Sequence, residues 1–194
     1  AQLGLKTALV ERRQVGGTCL NRGCIPTKTL LHTAALCREA ASFAAIGVEG
    51  GPLSCDREKL YARKTQVVEQ LRGGVAQLLK AGGITLLEGS GSILAPHRVL
   101  VAGEGESREI TGENILVATG SRPAVPPIPG ADLPGVLTSD DLLEAPPEGL
   151  ERLVIIGGGV IGVEFATVFQ SLGCRVTIVE AAERLLPGMD REIS

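Results

Sequence analysis

Leu153-Val154-Ile155-Ile156-Gly157-Gly158-Gly159-Val160-Ile161-Gly162 is the stretch whose reading decides the fold. A run of bulky apolar residues, mostly β-branched, reads as a buried strand. It ends on glycines at the first, third and sixth places of G-x-G-x-x-G, and an apolar helical stretch follows. A second strand, 175–179, then closes on an acidic residue, Glu180, 23 positions after Gly157. In such a unit the first glycine makes the tight turn and the second admits a pyrophosphate close to the backbone. The third lets helix and strand pack closely, and the carboxylate faces a ribose. Glycines alone would be weak. Strand, turn, helix and distant carboxylate together make a dinucleotide-binding layout, with Gly157, Gly158, Gly159, Val160, Ile161, Gly162 and Glu180 as its candidate binding residues.

The second half of this unit has an earlier copy. Gln170–Glu180, QSLGCRVTIVE, aligns with residues 1–11, AQLGLKTALVE, and Leu, Gly, Val and Glu are identical at equivalent places. The earlier copy therefore reads as the end of a helix, a turn at Gly4, a short strand over 7–10 and an acidic strand end at Glu11. Its leading glycines would fall before Ala1, so the sequence is expected to be an internal part of a longer chain. The strand before Ala1 would then lie between strand 7–10 and a later strand at 114–118.

Directly after this copy comes Gly16-Gly17-Thr18-Cys19-Leu20-Asn21-Arg22-Gly23-Cys24-Ile25-Pro26-Thr27-Lys28. Residues five apart on an ideal helix are too distant for a disulfide, whose Cα atoms approach to about 4.4–6.8 Å. Asn21 and Gly23 between the cysteines, and Pro26 just after, loosen or restart a helix and allow that gap to close. Cys24 and Lys28 are four apart and share a helical face. A cation and helix N-terminal amides beside Cys24 favour thiolate over thiol. That is redox chemistry. Two other readings stand beside it: plain buried thiols, and a zinc site built from Cys19, Cys24, His32 and Cys37, whose spacing fits finger patterns only loosely.

The cysteine segment resembles, nearly residue for residue, the GGTCxNxGCxPxK segment of the flavoprotein pyridine nucleotide-disulfide oxidoreductases. The branch typified by dihydrolipoamide dehydrogenase is nearest, and glutathione and mercuric reductases share the pattern. The Ala118-Thr119-Gly120-Ser121-Arg122-Pro123 stretch resembles the end of an FAD-domain strand of that family. The resemblance implies an α/β fold: a Rossmann-like FAD-binding domain over 1–146 with a small antiparallel β-meander. The opening βαβ portion of an inserted NAD-binding Rossmann domain would occupy 147–194, the boundary falling near Pro146-Pro147.

By the same resemblance Cys24 is the thiolate that faces the flavin, and Cys19 is the interchange thiol that a dithiol substrate attacks. Lys28 lies near the flavin and pairs with Glu164. Glu11 binds the FAD adenosine ribose, and Gly17, Thr18, Lys28, Gly91, Thr119, Gly120 and Ser121 line the rest of the FAD site. Further implications are FAD and NAD as cofactors, a homodimer, and a small dithiol or a lipoyl domain of a 2-oxo acid dehydrogenase or glycine cleavage complex as partner. Glu180 supports NAD over NADP, because a carboxylate accepts from both ribose hydroxyls and repels a 2′-phosphate. The family's acid–base pair is a His–Glu near the C-terminus. The histidines here, His32 and His97, lie in no such context. The alternatives are an NADPH-dependent reductase of the glutathione or mercuric type and a non-catalytic nucleotide- or zinc-binding module.

Elsewhere the apolar face of Leu30, Leu31, Ala34, Ala35, Ala41, Phe43 and Ala44 predicts a helix over 26–46, and 47–56 reads as a loop. A long helix is expected over 57–80 with Val67, Leu71, Val75 and Leu78 as its buried stripe. Gly73-Gly74 within it costs about 1–2 kcal/mol of helix propensity, which calls for a close packing partner. Short strands are expected at 84–88, 98–102 and 107–110, and Asn114-Ile115-Leu116-Val117-Ala118 reads as a buried parallel strand. A proline-rich connector follows, with Ser139 capping a short helix over 140–143.

Composition is consistent with this reading. Apolar residues make up 44% and aromatics 2%, with 26 glycines and a net charge of −3. No basic cluster points to nucleic acid, and no apolar run reaches membrane-spanning length. No metal site is expected, and five cysteines at irregular spacing suggest a cytoplasmic chain and not a secreted disulfide framework.

Overall fold

The computed structural model describes residues 1–49 and 54–194, so part of the loop expected over 47–56 lies outside the described residues. The chain is mixed α/β and divides into two compact units, each discontinuous in sequence.

The first unit comprises residues 1–21 and 68–122. Strand β1 (Ala8–Glu11) pairs in parallel with β2 (Thr85–Glu88), Val10 opposite Leu87. Helix α1 (Gly17–Arg22) follows β1. A meander of β3 (Ser90–Ala95), β4 (Arg98–Ala102) and β5 (Ser107–Thr111) pairs antiparallel in that order, so β3 joins the strands expected from sequence. Gly89 makes the turn into β3 at φ +147°, where a Cβ would come 2.6 Å from the Ala102 carbonyl.

The expected strand at 114–118 does not form, and Leu116 is 90% exposed. A strand exists only through a ladder partner. The described strand beside β1 is β2, and none runs alongside 114–118.

The second unit comprises residues 22–67 and 123–194. Helix α2 (Cys24–Ala40) starts where Gly23, at φ −142° and ψ −110°, breaks the chain after α1. Pro26 falls in its first turn, where its missing N–H costs no helical bond. The helix is shorter than expected: it stops at Ala40, a separate 3-10 turn spans Phe43–Ile46, and Ala35, Ala41 and Ala44 are exposed. Strand β6 (Arg152–Ile156), helix α5 (Val160–Ser171) and parallel strand β7 (Arg175–Val179) make the βαβ unit read from the glycines. The core gathers Leu30 and Ala34 of α2 with Phe165, Val168 and Phe169 of α5, and with Leu60, Tyr61, Leu142 and Leu143.

Helix α3 (Arg57–Ala81) gives its first part to the second unit and the rest to the first. Its buried line is Leu60, Tyr61, Lys64 and Val68, not the expected stripe, and Leu71 and Leu78 are exposed. Polar groups decide this face. Tyr61 Oη donates to the Leu142 carbonyl (2.7 Å) and Lys64 Nζ to that of Leu143 (2.6 Å), so a lysine faces inward. Gly73 and Gly74 have open space where a Cβ would stand, so among the described residues the expected close partner is absent there. The short helix α4 (Ser139–Glu144) is capped by Thr138 and not Ser139. Thr138 Oγ1 accepts from Asp141 N, and the Asp141 carboxylate accepts from Thr138 N (2.7 Å), a reciprocal capping box.

Candidate active site

Cys19 lies on α1, and Cys24 is the first residue of α2. The two are joined in a disulfide, while Cys37, Cys55 and Cys174 are free. Both sulfur-bearing residues are exposed. The helix break at Gly23 is what brings residues five apart within bonding range. The bond also occupies two ligands of the alternative zinc set, and no group of three or more metal-ligating side chains converges among the described residues.

Asn21 holds the first half of this segment. Its side-chain amide donates to the carbonyls of Val15 (3.0 Å) and Gly17 (2.9 Å), and its Oδ1 accepts from Arg72 Nε (3.0 Å). Sequence reading assigned Asn21 only a helix-loosening part; its hydrogen bonds reach groups that no local pattern identifies. Gly16 and Gly17 take φ +108° and +71°, which favour glycine. In the second half, Gly23 provides no side-chain cap for α2, and its carbonyl accepts from Thr27 N at 3.2 Å. Lys28, one turn along α2, places Nζ 2.5 Å from Glu164 Oε1 of α5. Arg22 donates to Asp140 Oδ2 of α4 at 3.0 Å, a pairing with no local sequence signal.

The two acidic strand ends are built alike. Glu11 Oε1 accepts from Arg13 N (2.9 Å), and Glu180 Oε1 accepts from Ala182 N (2.8 Å). Gly4 and Gly173 also share a left-handed turn, at φ +81° and +89°. The sequence repeat is therefore a structural one. Glu180 additionally accepts from Gly158 N at 2.5 Å. The Ala182 amide, and next the Gly158 amide, hold its carboxyl below the usual range. Two amides leave part of the carboxylate's four acceptor positions open to ribose hydroxyls.

At both candidate nucleotide sites a glycine turns the chain at positive φ. Gly157 turns at φ +108°, and Gly159, the residue ahead of α5, offers no side-chain cap, leaving helix N-terminal amides for a phosphate. Val160 and Ile161 open α5, and a Cβ on Gly162 would overlap the Gly157 carbonyl, which fixes how closely α5 sits on β6. In the first unit, Gly120 has φ +75°, and a Cβ there would stand 2.9 Å from Thr18 Oγ1. The flanking residues Thr119 and Ser121 are exposed. At Gly91, on β3, a Cβ would meet Val10 at 3.4 Å, an ordinary contact, so packing within the chain does not itself demand glycine there.

A glycine-cradled βαβ unit, a structural half-repeat of it, and a disulfide in a Cys-x4-Cys-x3-Lys segment together define an α/β chain of the Rossmann type that carries an exposed cysteine pair. The chain belongs to the pyridine nucleotide-disulphide oxidoreductase family, whose model it matches over residues 1–194. It is 46% identical to the dihydrolipoyl dehydrogenase of Acholeplasma laidlawii, over 100% of this chain and 57% of that protein. Identity to a dihydrolipoyl dehydrogenase of Bacillus subtilis (strain 168) is 42%, over 100% of this chain and 43% of that one. The HOCl-induced flavoprotein disulfide reductase RclA from Escherichia coli superposes with a TM-score of 0.81 at 38% identity, over 99% of this chain and 40% of that structure. The chain thus spans about half the length of the curated relatives it matches.

Among the described residues no helix is long and apolar enough to cross a membrane.

Proposed function

We propose that this chain is the disulfide-bearing part of a flavin-dependent dithiol:NAD oxidoreductase that oxidises dihydrolipoamide carried on a lipoyl domain. The observation that carries the reading is the exposed Cys19–Cys24 disulfide at the α1–α2 break, with Cys24 at the start of α2. In this reading residues 1–146 form the FAD-binding domain and 147–194 belong to the NAD-binding domain. Glu11, Gly17, Thr18, Lys28, Gly91, Thr119, Gly120 and Ser121 hold FAD, and Gly157 through Gly162 with Glu180 hold NAD. Bound FAD and NAD supply two-electron and hydride transfer.

The chain's own part is thiol–disulfide exchange. A substrate thiolate attacks Cys19 Sγ, a new sulfur–sulfur bond forms to Cys19, and Cys24 leaves as thiolate. Helix N-terminal amides and the Lys28 ammonium lower the cost of that negative charge on Cys24. The second substrate thiol loses its proton and attacks the substrate sulfur of the mixed disulfide. The cyclic disulfide departs, and Cys19 is released as thiolate. Two electrons have then passed from the substrate dithiol to the protein thiols. Glu164 positions Lys28 through its 2.5 Å ion pair.

The natural setting in this reading is a homodimer serving a 2-oxo acid dehydrogenase or glycine cleavage complex, in the cytoplasm. A second reading, a reductase acting on a disulfide with NADPH, is favoured by the likeness to RclA, a flavoprotein disulfide reductase by name. Glu180 weighs against it, because its carboxylate would face the 2′-phosphate. Steady-state assay of the full-length protein with dihydrolipoamide and NAD, against NADPH and disulfides, separates the two. Turnover only in the second direction would overturn the first reading.

A further inference from the structure

At the end of the βαβ unit opposite its glycine turn, β6 and β7 open on two arginines side by side. Arg152 and Arg175, each the first residue of its strand, are register partners in the parallel pair. Both are exposed, and both lie on the strand face opposite Leu153, Ile155 and Val176, which pack on the core. Neighbouring strands are about 4.8 Å apart, so the two cations start from adjacent positions and repel one another. Arg57, at the start of α3, brings a third guanidinium to the same place. It donates to the carbonyls of Leu150 (3.3 Å) and Leu172 (3.4 Å) and to Cys174 Sγ (3.4 Å), which ties it to the segments just ahead of β6 and β7. Arg57, Glu151, Arg152 and Arg175 line one cavity of about 410 Å³, together with Leu150 and Gly173. All of them belong to the second unit. Among the described residues none of the three arginines forms an ion pair, with Glu151 or with any other carboxylate.

We propose that this cavity binds a small phosphorylated molecule by its phosphoryl group. Three guanidinium groups against one carboxylate leave two positive charges in excess. A phosphate monoester carries about −1.5 to −2 at neutral pH, which matches that excess. A carboxylate is satisfied by a single arginine fork, whereas three forks suit the three terminal oxygens of a phosphoryl group. Arg57 is held by its backbone contacts, so it waits in place, and Arg152 and Arg175 supply the exposed forks. The volume falls in the range of small-ligand sites, roughly 300–1,000 Å³, and a lone phosphate would leave most of it to water. A bound phosphoryl group would offset the repulsion between Arg152 and Arg175, while Glu151 would oppose it. The cavity lies at the far end of β6 from Gly157, about 13 Å away along a five-residue strand. It is therefore separate from the glycine turn, and the proposal does not rest on the reaction assigned to Cys19 and Cys24.

Calorimetric titration of the full-length, flavin-loaded protein with inorganic pyrophosphate, in a phosphate-free buffer, tests it. The expected result is a single pyrophosphate bound per chain, with an affinity that weakens as salt is raised and is unchanged by saturating NAD. Citrate, a polycarboxylate of similar charge, should bind more weakly. Arg152→Gln and Arg175→Gln are made separately, so that a folding failure of one leaves the other to decide. Each should weaken binding about tenfold or more, as loss of charge-assisted hydrogen bonds does. Arg175→Lys keeps the charge but not the fork and should fall between. Glu151→Gln should tighten binding about two- to fivefold. Flavin content and far-ultraviolet circular dichroism of the variants should match wild type. No binding to the wild type, equal binding of citrate, displacement of pyrophosphate by NAD, or an affinity unaltered by the arginine substitutions would each overturn the proposal.

Discussion

Replacing Gly120 by alanine tests the first-unit cradle quantitatively. Gly120 sits at φ +75°, and a left-handed backbone costs an L-residue about 1–2 kcal/mol. The added Cβ would stand 2.9 Å from Thr18 Oγ1, so either the turn or Thr18 must shift. Overpacking of this kind costs roughly 1–3 kcal/mol. Restricting the unfolded chain returns about 0.4–1 kcal/mol. The net expectation is a loss of about 2–3 kcal/mol in unfolding free energy, read from denaturant midpoints at unchanged m-value. Thr18→Ala removes the contacted hydroxyl, so the double variant should recover the overlap part, about 1 kcal/mol or more, and leave the backbone part. Flavin occupancy supplies the functional readout. If Thr119, Gly120 and Ser121 hold FAD, the displaced turn should release flavin from Gly120→Ala at concentrations where wild type retains it, about tenfold for each 1.4 kcal/mol of lost binding. A Gly120→Ala protein within about 0.5 kcal/mol of wild type, with no coupling in the double-mutant cycle, would refute the steric argument.

Four further outcomes are expected. In the reduced full-length enzyme, Cys24→Ser should abolish the long-wavelength thiolate-to-flavin absorbance, and Cys19→Ser should keep it but stop dithiol turnover. Normal turnover by Cys19→Ser would reverse the roles. The kcat/KM ratio for NAD over NADP should exceed about a hundredfold and collapse in Glu180→Gln; equal use of both cofactors by wild type would remove Glu180 as the selector. Its carboxyl is held below the ordinary range by the Ala182 and Gly158 amides. These contacts therefore act fully above the unfolded carboxyl's range and are lost only as pH falls through the lower folded range, so cofactor choice should not change between pH 6 and 8, about two units or more above an ordinary carboxyl. Tyr61, the chain's one tyrosine, is pushed up to about 12 by burial. Below its ordinary value, about 10, its contribution is fully present. Stability should fall as pH rises from there towards about 12, and Tyr61→Phe should lack this component of the alkaline titration and of the absorbance change at 295 nm.

The extent to which the chain could be read without coordinates follows the range of the interactions. The βαβ unit was legible because each part is a local demand: β-branched residues for β6, glycine where a turn needs positive φ, and a carboxylate one unit further on. The half-repeat was legible for the same reason, and Glu11 and Glu180 do close equivalent turns on the amide two residues ahead. The cysteine segment was legible as a motif, and the helix break at Gly23 follows from glycine's backbone freedom. Residues 114–118 show the limit. Their apolar run states only that they suit a strand, and whether one forms depends on a neighbour that the run does not encode.

The face that α3 buries shows the same limit from the polar side. Hydrophobic periodicity chose Leu71 and Leu78, but the carbonyls of Leu142 and Leu143 accept hydrogen bonds from Tyr61 and Lys64, and that line turns inward. Propensity and periodicity act over a few residues and are written in the sequence. Arg22 meeting Asp140 and Lys28 meeting Glu164 depend on how helices pack far along the chain. Local sequence therefore determined the βαβ unit and the two-cysteine segment. Tertiary packing alone decided which charges face one another, because those contacts join residues whose separation no local pattern specifies.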